Sequence, residues 1–213
     1  MIRWLDPRDP QEPDAALLDA ARRHPLRLIT RGVAAEVGVW TPATRRDVRT
    51  AYDEVADRGA TRPPREQLEV VRDALERGGL GAPDGPVVEL GCGDGWATPL
   101  LRERFGSTVA VDLSLRMLRR VGPPTPLVQA DAGALPLPDH VVDVAVGINM
   151  LLFPIELDRV LAWDGAVVWV GSRGPVTPVH LAPEEVAAAL PGRWGGVAAR
   201  CGPGVWCVLR RDR

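Results

Sequence analysis

Three glycines alternate in the stretch VVELGCGDGW, at Gly91, Gly93 and Gly95, between an apolar run and a helical pattern. Glycine permits positive φ angles, and it has no Cβ that would keep a ligand away from the backbone. A strand that ends in such a turn and leads into a helix brings N–H groups and the positive helix end to one point above the sheet. The sequence therefore predicts a ligand-binding loop at these three glycines.

The spacing of the glycines separates two classes of ligand. A dinucleotide-binding loop has the pattern G-x-G-x-x-G, but the sixth position counted from Gly91 is Trp96. The chain instead reads acidic-x-G-x-G-x-G, with Glu89 at the acidic position. It also contains no lysine, so a nicotinamide oxidoreductase with a Ser/Tyr/Lys proton relay is disfavoured. The same absence excludes a P-loop and Schiff-base chemistry.

Short apolar runs alternate with helical patterns from about residue 86 onward, which is typical of a parallel sheet covered by helices. The runs are nearly all apolar, which indicates strands buried on both faces, at 86–90, 108–111, 127–129, 141–146 and 166–170. Two further runs, GGVAARCG and GVWCVLRR, are joined by Gly202-Pro203-Gly204 and predict an antiparallel hairpin. We expect an α/β, Rossmann-like doubly wound sheet, mostly parallel, that ends in this hairpin.

The region before residue 83 shows helical patterns near 14–23, 45–58 and 65–78, with a loop at Arg62-Pro63-Pro64. This region is too short and polar to form a second core. We expect a single domain, in which residues 1–82 form a helical extension and lid and residues 83–213 form the ligand-binding α/β core.

Charge and cysteine content exclude several classes of function. The 26 basic residues, all arginine, nearly cancel the 28 acidic ones, so no surface for a polyanion is indicated. The three cysteines, Cys92, Cys201 and Cys207, are too widely spread for a disulfide framework or a zinc site. No signal core or membrane-spanning run is evident. We expect a soluble cytoplasmic protein that binds no metal.

The sequence resembles class I methyltransferases that use S-adenosylmethionine (AdoMet), in particular the small-molecule branch similar to ubiquinone and menaquinone-biosynthesis methyltransferases. The segment VVELGCGDGWATPLL is similar to the first motif of that family. The resemblance continues in order through VAVDLSLRML, VQADAGALPLPDHVVDVAV and DRVLAWDGAVVWV, which together cover residues 87–170. One departure is the turn before the fifth predicted strand, usually Pro-Gly-Gly, which reads Trp163-Asp164-Gly165 here.

The resemblance implies that the glycine turn binds the amino-acid end of AdoMet and of its product, S-adenosylhomocysteine. The ammonium group of this ligand needs acceptors and its carboxylate needs donors. Glu89 and the backbone of Gly91 and Gly93 would supply them, together with their neighbours Cys92 and Gly95.

The same resemblance assigns the nucleoside end to residues after the next strands. Asp112 would accept both ribose hydroxyls, and Asp131 would accept from the adenine amino group, with Ala132 beside the ring and Leu113 on its face. Asn149 would line the reacting methyl. The plainer alternatives are a helix-capping role for Asp112 and a surface-turn role for Asp131, and only its position supports Asn149.

Two residues are candidates for a role in catalysis. The segment RTAYDEVADRGA is similar to the YDxxAxxY helix that covers the cofactor in related methyltransferases, and it places Tyr52 at the mouth of the site, although Gly59 replaces the second tyrosine. Methyl transfer from a sulfonium is an in-line displacement, so positioning can supply much of the catalysis without a base. If a base is used, His180 is the best candidate, because it follows the fifth predicted strand. A histidine in a surface loop is the alternative.

The fourth predicted strand is followed by GINMLLFP, not by the Asn/Asp-Pro-Pro-aromatic box of amino-group methyltransferases that act on nucleic acids. Several residues could instead line an apolar pocket, or belong to the core: Trp40, Trp96, Met150, Leu151 and Phe153. We predict methyl transfer to O, N or C of a small metabolite, with no nucleic-acid or membrane partner. The alternative is a non-catalytic AdoMet-binding module with a regulatory or partner role.

Overall fold

The computed structural model describes residues 1–59 and 63–212, and its centre is an eight-stranded mixed sheet. The strands are β1 (Ile2–Trp4), β2 (Val87–Leu90), β3 (Val109–Asp112), β4 (Leu127–Gln129), β5 (Val142–Ile148), β6 (Leu161–Gly171), β7 (Trp194–Cys201) and β8 (Gly204–Arg211). Their order across the sheet is β1-β7-β8-β6-β5-β2-β3-β4. Strands β2 to β6 are parallel, and β8 is antiparallel to both β6 and β7. The predicted fold class is confirmed.

Eight α-helices are described. They are α1 (Ala15–Arg23), α2 (Leu26–Ala34), α3 (Pro42–Arg58), α4 (Arg65–Arg77), α5 (Thr98–Phe105), α6 (Leu115–Leu118), α7 (Pro154–Val160) and α8 (Pro183–Ala189). A 3-10 turn covers Gly174–Val176. Within residues 1–59 and 63–212, no helix combines the length and apolar character that a membrane crossing requires.

The N-terminal region contains two elements that the sequence analysis did not predict. Strand β1 has only three residues and extends the edge of the sheet by pairing in parallel with β7. Helix α2 has no side-chain cap at Pro25, so the usual signal for a helix start is missing. The three predicted helices are present as α1, α3 and α4. Of the loop predicted at 62–64, Arg62 lies outside the described residues.

The apolar strands are buried because helices cover both faces of the sheet. One core cluster combines alternate residues of β5 and β6 with α4 and α5, including Val146, Val168, Val71 and Leu101. A second cluster, on the opposite face, packs the intervening strand residues against α7 and α8. This burial on both faces explains why the strands have continuous apolar runs.

The parallel strands also fix where a ligand can bind. Because β2, β3, β4 and β5 run in the same direction, their carboxyl ends meet at one edge of the sheet. The segments that follow these strands therefore lie side by side. In open α/β sheets, this edge is where ligands bind.

A buried carboxylate joins the N-terminal region to the sheet. Asp73 of α4 has a side chain that is 1% exposed, and it accepts a hydrogen bond from Trp206 Nε1 of β8 at 2.8 Å. It also pairs with Arg77 at 3.1 Å and with Arg8 at 2.9 Å. The N-terminal segment, α4 and β8 therefore share one charged centre.

Replacing this centre should destabilise the whole fold. We expect Asp73→Ala to lower the free energy of unfolding by about 3 kcal/mol, because it removes the carboxylate partner of the largely buried Arg77 guanidinium and leaves the Trp206 indole N–H without an acceptor. Urea denaturation followed by circular dichroism measures the loss. The matched control is Glu76→Ala, which removes an exposed partner of Arg8 and should cost less than about 1 kcal/mol. Similar losses in both variants would contradict the role of Asp73.

Candidate active site

A cleft of about 630 Å³ opens at the carboxyl edge of the parallel strands. Its floor is built from the segments that follow β2, β3, β4 and β5, and α3 and the start of α4 form its cover. Nine of the site residues predicted from sequence line it: Tyr52, Gly91, Cys92, Gly93, Asp112, Leu113, Asp131, Ala132 and Asn149. The structure thus brings together residues that are up to 97 positions apart in the chain (149 minus 52).

The turn after β2 needs glycine for two different reasons. Gly93 has a φ of +56°, and a Cβ there would have no protein atom within 4 Å, so it would project into open space at the cleft. A side chain at this position would compete with a ligand for room. Gly95 does not line the cleft. Its φ is +77°, and a Cβ there would lie 2.8 Å from Val121, so packing is a second reason for glycine at this position.

The carboxylate of Asp112 is oriented by two backbone groups. Its Oδ2 accepts from Gly93 N–H and its Oδ1 from Ser114 N–H, each at 2.8 Å. Burial raises the pKa of Asp112, the two backbone hydrogen bonds oppose that rise, and the nearby charge of Asp53 adds to it. Each oxygen of an ionised carboxylate can accept more than one hydrogen bond. Asp112 therefore both ties the glycine turn to β3 and retains acceptor capacity towards the cleft.

Glu89 lies beneath the glycine turn and does not line the cleft. It is 2% exposed, and Thr98 donates its hydroxyl proton to Glu89 Oε2 at 2.6 Å. The pKa of Glu89 is raised to about 7, mainly by burial and also by the charge of Asp112. The hydrogen bond from Thr98 opposes this rise. Glu89 thus titrates near neutral pH directly below the turn.

The carboxylate of Asp131 already has several partners. Trp40 Nε1 approaches its two oxygens at 3.1 and 3.0 Å, Arg45 pairs with Oδ2 at 3.0 Å, and Gly133 N–H donates to Oδ1 at 2.8 Å. Its side chain is only 10% exposed. The proposed contact of Asp131 with adenine stays a prediction. The structure adds that this carboxylate fastens the N-terminal segment to the end of β4.

Helix α3 crosses the cleft and is held at several points. Arg45 binds Asp131 near the first turn of the helix, and further along Asp53 accepts a hydrogen bond from Ser114 Oγ. Tyr52 lies between these contacts and lines the cleft. Burial, and then the charge of Asp112, raise the pKa of Tyr52, so its hydroxyl stays protonated. The hydroxyl is available at the cleft as a donor.

The loop after β5 is tied to the loop after β6. Asn149 has a φ of +51°, its Nδ2 donates to Ser172 Oγ at 2.7 Å, and its Oδ1 accepts from Ser172 N–H at 2.9 Å. Ser172 Oγ in turn contacts Gln67 Oε1 of α4 at 3.2 Å. Asn149 therefore sets the geometry of this end of the cleft, although its own amide is engaged within the protein.

His180 lies apart from the other predicted residues. It lines a second, smaller cleft together with Trp4 and Arg200. The chain after β6 forms the 3-10 turn and then passes α2, where the Arg27 side chain donates a hydrogen bond to the carbonyl of His180. The pKa of His180 is lowered to about 4, mainly by burial and also by the charge of Arg27. The imidazole is therefore neutral, but its position outside the main cleft does not fit the role of a base at the reacting methyl.

Several residues of the cleft were not predicted from the sequence. Arg49, Gln67 and Arg173 line it, and so do Pro63 and Pro64. The i, i+4 spacing of Arg45, Arg49 and Asp53 on one helix was the only signal for any of them. The five apolar residues considered for an acceptor pocket, Trp40, Trp96, Met150, Leu151 and Phe153, all line the cleft.

A comparison with protein families agrees with this geometry. Residues 88–168 match the family model described as "Methyltransferase domain". These residues include the glycine turn, Asp112, Asp131 and Asn149. Over these residues the chain is similar to methyltransferase domains. No curated protein matches the sequence.

Solved structures of methyltransferases share the fold at low sequence identity. A SAM-dependent methyltransferase of Aquifex aeolicus is 20% identical over 79% of this chain and 98% of its own, with a TM-score of 0.56. A protein of Methanococcus maripaludis is 15% identical over 78% and 94%, with a TM-score of 0.57. Phosphoethanolamine N-methyltransferase 1 of Haemonchus contortus is 19% identical over 62% and 33%, with a TM-score of 0.51. Several other matched structures are longer, and the chain spans 42% to 59% of their lengths.

The buried acid under the glycine turn should make stability depend on pH. The pKa of Glu89 is about 7 in the folded chain against 4.5 ordinarily, so between these pH values only the unfolded chain releases the proton. Stability should therefore fall as the pH rises from about 4.5 to about 7. Glu89→Gln removes this titrating carboxyl group. The unfolding free energy of the variant relative to wild type should therefore rise by about 3 kcal/mol across that pH range.

Urea denaturation at several pH values between these limits measures the difference. Glu103→Gln, an exposed substitution on α5, is the matched control and should reproduce the wild-type pH profile. A constant difference between Glu89→Gln and wild type at all pH values would contradict the raised pKa.

Proposed function

We propose that the chain transfers the methyl group of AdoMet to O, N or C of a small-molecule acceptor. The observation that carries this proposal is the pairing of the open glycine turn at Gly93 with the Asp112 carboxylate at the same cleft, inside the segment that matches the methyltransferase family. The finer assignment, to a branch similar to ubiquinone and menaquinone-biosynthesis methyltransferases, is supported by the resemblance of the motif sequences.

The order of the strands supports one orientation of the cofactor. Asp112 ends β3 and Asp131 follows β4, so we assign the adenosine to the ends of these two strands. Ala132 and Leu113 line the same region. The glycine turn after β2 would hold the methionine part, and Asn149 and Met150 after β5 would line the methyl group. Tyr52 covers this arrangement from α3.

The chemistry of the site follows from positioning. Bound AdoMet supplies a methyl group on a sulfonium, whose leaving group is a neutral thioether. The residues of the chain need to hold donor and acceptor in line and to exclude water, and such orientation can contribute about 7–11 kcal/mol to lowering a barrier. The aromatic side chains of Trp40, Trp96 and Phe153 and the cover formed by α3 serve the exclusion of water. The cleft volume of about 630 Å³ is that of a small-molecule site.

A known small-molecule enzyme supports the choice of acceptor class. The phosphoethanolamine N-methyltransferase 1 of Haemonchus contortus, which shares this fold, was solved with phosphoethanolamine and S-adenosylhomocysteine. We propose an acceptor of comparable size for this chain. The near-neutral charge and the sequence after β5 support a partner other than nucleic acid.

The assignment of Asp112 can be tested by calorimetric titration with AdoMet, S-adenosylhomocysteine and NAD. We expect the first two to bind wild type and NAD not to bind. Asp112→Ala should weaken both by at least about tenfold, because each hydrogen bond to a charged acceptor contributes about 1.5–3 kcal/mol. Asp84→Ala, an exposed acid outside the cleft, should bind both ligands as wild type does.

Two controls separate binding from folding and from catalysis. Thermal unfolding without ligand shows whether Asp112→Ala has lost the fold along with its contacts to Gly93 and Ser114. Transfer of radiolabelled methyl groups to a panel of small acceptors then tests catalysis. Unchanged AdoMet affinity in a folded Asp112→Ala variant would refute our placement of the site, and binding without transfer to any acceptor would favour a non-catalytic module.

A further inference from the structure

Two arginines line the cleft without a partner. Among the residues that the structure describes, neither Arg49 nor Arg173 makes an ion pair or donates a side-chain hydrogen bond. Arg45, by contrast, is paired with Asp131. Both unpaired guanidinium groups stay charged at any physiological pH. Both side chains are exposed at the cleft, so their guanidinium groups are free to contact a ligand.

The position of Arg173 assigns it to one half of the cleft. It comes two residues after the end of β6, whereas Asp112 ends β3, and the strands β5 and β2 lie between them. Three strand spacings of about 4.8 Å separate these strand ends by about 14 Å. Arg173 therefore lies on the opposite side of the glycine turn from the nucleoside region. Arg49 lies on α3 between Arg45 and Asp53, on the nucleoside side.

The backbone beside Arg173 is rigidly held. Ser172 is fully buried, and Asn149 binds both its N–H and its hydroxyl. Ser172 Oγ donates a hydrogen bond to Gln67 Oε1. The Nε2–H₂ donors of the Gln67 amide therefore point away from Ser172. Among the described residues, Gln67 Nε2 has no acceptor. Gln67 and Arg173 both line the cleft, so this end offers donors from two side chains.

The surroundings of this end are apolar and lack negative charge. The acidic residues that line the cleft, Asp94, Asp112 and Asp131, follow β2, β3 and β4. The segments after β5 and β6, residues 149–153 and 172–173, contain no acidic residue, and Met150, Leu151 and Phe153 supply apolar surface. The acidic residues of the cleft thus lie towards β2, β3 and β4, and Arg173 lies at the β6 end.

We propose that Arg173, assisted by Gln67, binds an anionic group of the methyl acceptor, so that the acceptor is a small acid with an apolar body. This inference rests on the proposed function. A guanidinium can bind two oxygens of one carboxylate or phosphate at once, and both groups share the chemistry recognised here. The apolar residues after β5 would contact the body of the acceptor, between its anionic group and the methyl donor.

The test measures binding of matched probes to the protein saturated with S-adenosylhomocysteine. The probes are a naphthoate with its neutral amide, and a naphthyl phosphate with naphthol, titrated by calorimetry or ligand-observed NMR. We expect at least one anion to bind about tenfold or more tightly than its neutral counterpart. The pair that shows this preference tells whether a carboxylate or a phosphate is recognised.

Four variants assign the preference to its residue. Arg173→Gln should reduce it to less than about threefold, and Arg173→Lys should retain part of it, because charge remains but the second hydrogen bond is lost. Arg193→Gln, an exposed arginine outside the cleft, should retain all of it. Arg49→Gln should retain it as well, since we place Arg49 on the other side.

Each remaining outcome counts against the proposal or against the function beneath it. Equal binding of anions and neutral analogues, or no binding of any probe at millimolar concentration, overturns the proposal. So does a preference that survives Arg173→Gln, or one that is lost in Arg49→Gln instead. S-adenosylhomocysteine affinity is measured for every variant. If wild type does not bind this product, the proposed function fails, which is a result distinct from loss of anion preference.

Discussion

The Asp112 carboxylate connects three parts of the molecule that would otherwise be independent. It accepts hydrogen bonds from Gly93 in the turn after β2 and from Ser114 at the start of α6. Ser114 passes the connection on to Asp53 of α3 through its hydroxyl. The shape of the glycine turn, the end of β3 and the position of the covering helix therefore depend on one side chain. Its burial raises its pKa, so this arrangement carries an electrostatic cost.

That cost is part of a wider concentration of strain at the site. Glu89, Asp53 and Asp112 bring negative charge into one region, and burial raises the pKa of Glu89 and of Asp112. Gly91 and Gly93 in the adjacent turn have positive φ angles, as does Asn149. Backbone conformations and charges of this kind persist where the surrounding fold compensates for them, which is common at functional sites. Here the compensation comes from the cores on both faces of the sheet.

The parts of the site that the sequence predicts are those encoded locally. The glycine turn and Asp112 lie at the ends of strands that are apolar throughout, because helices bury both faces of the sheet. The positions of these strand ends could therefore be predicted from the sequence. The hydrogen-bond partners of Asp131 could not be predicted from the sequence. Trp40 and Arg45 are 91 and 86 positions away from it, and only the fold brings them into contact.

The other differences between prediction and structure have the same cause. Strand β1 has three residues and owes its conformation to pairing with β7. Its sequence has no pattern long enough to predict a strand. His180 follows the fifth parallel strand as expected, but the 3-10 turn after β6 and the unpredicted helix α2 place it at another cleft. Sequence position relative to a strand end was therefore sufficient to place Asp112 at the main cleft and insufficient to place His180.

The two halves of the main cleft are held by separate sets of hydrogen bonds. Asp131 with Trp40 and Arg45 fixes one half, whereas Asn149 with Ser172 and Gln67 fixes the other, and the two sets share no residue. Substitutions in groups that share no partner usually have additive effects. Apart from the contact between Phe153 and Trp40, whose ring centroids lie 5.1 Å apart, the half after β5 and β6 can therefore diversify, by mutation or by design, while the half after β3 and β4 keeps its geometry. A scaffold divided in this way is suited to acquiring new specificities one side at a time.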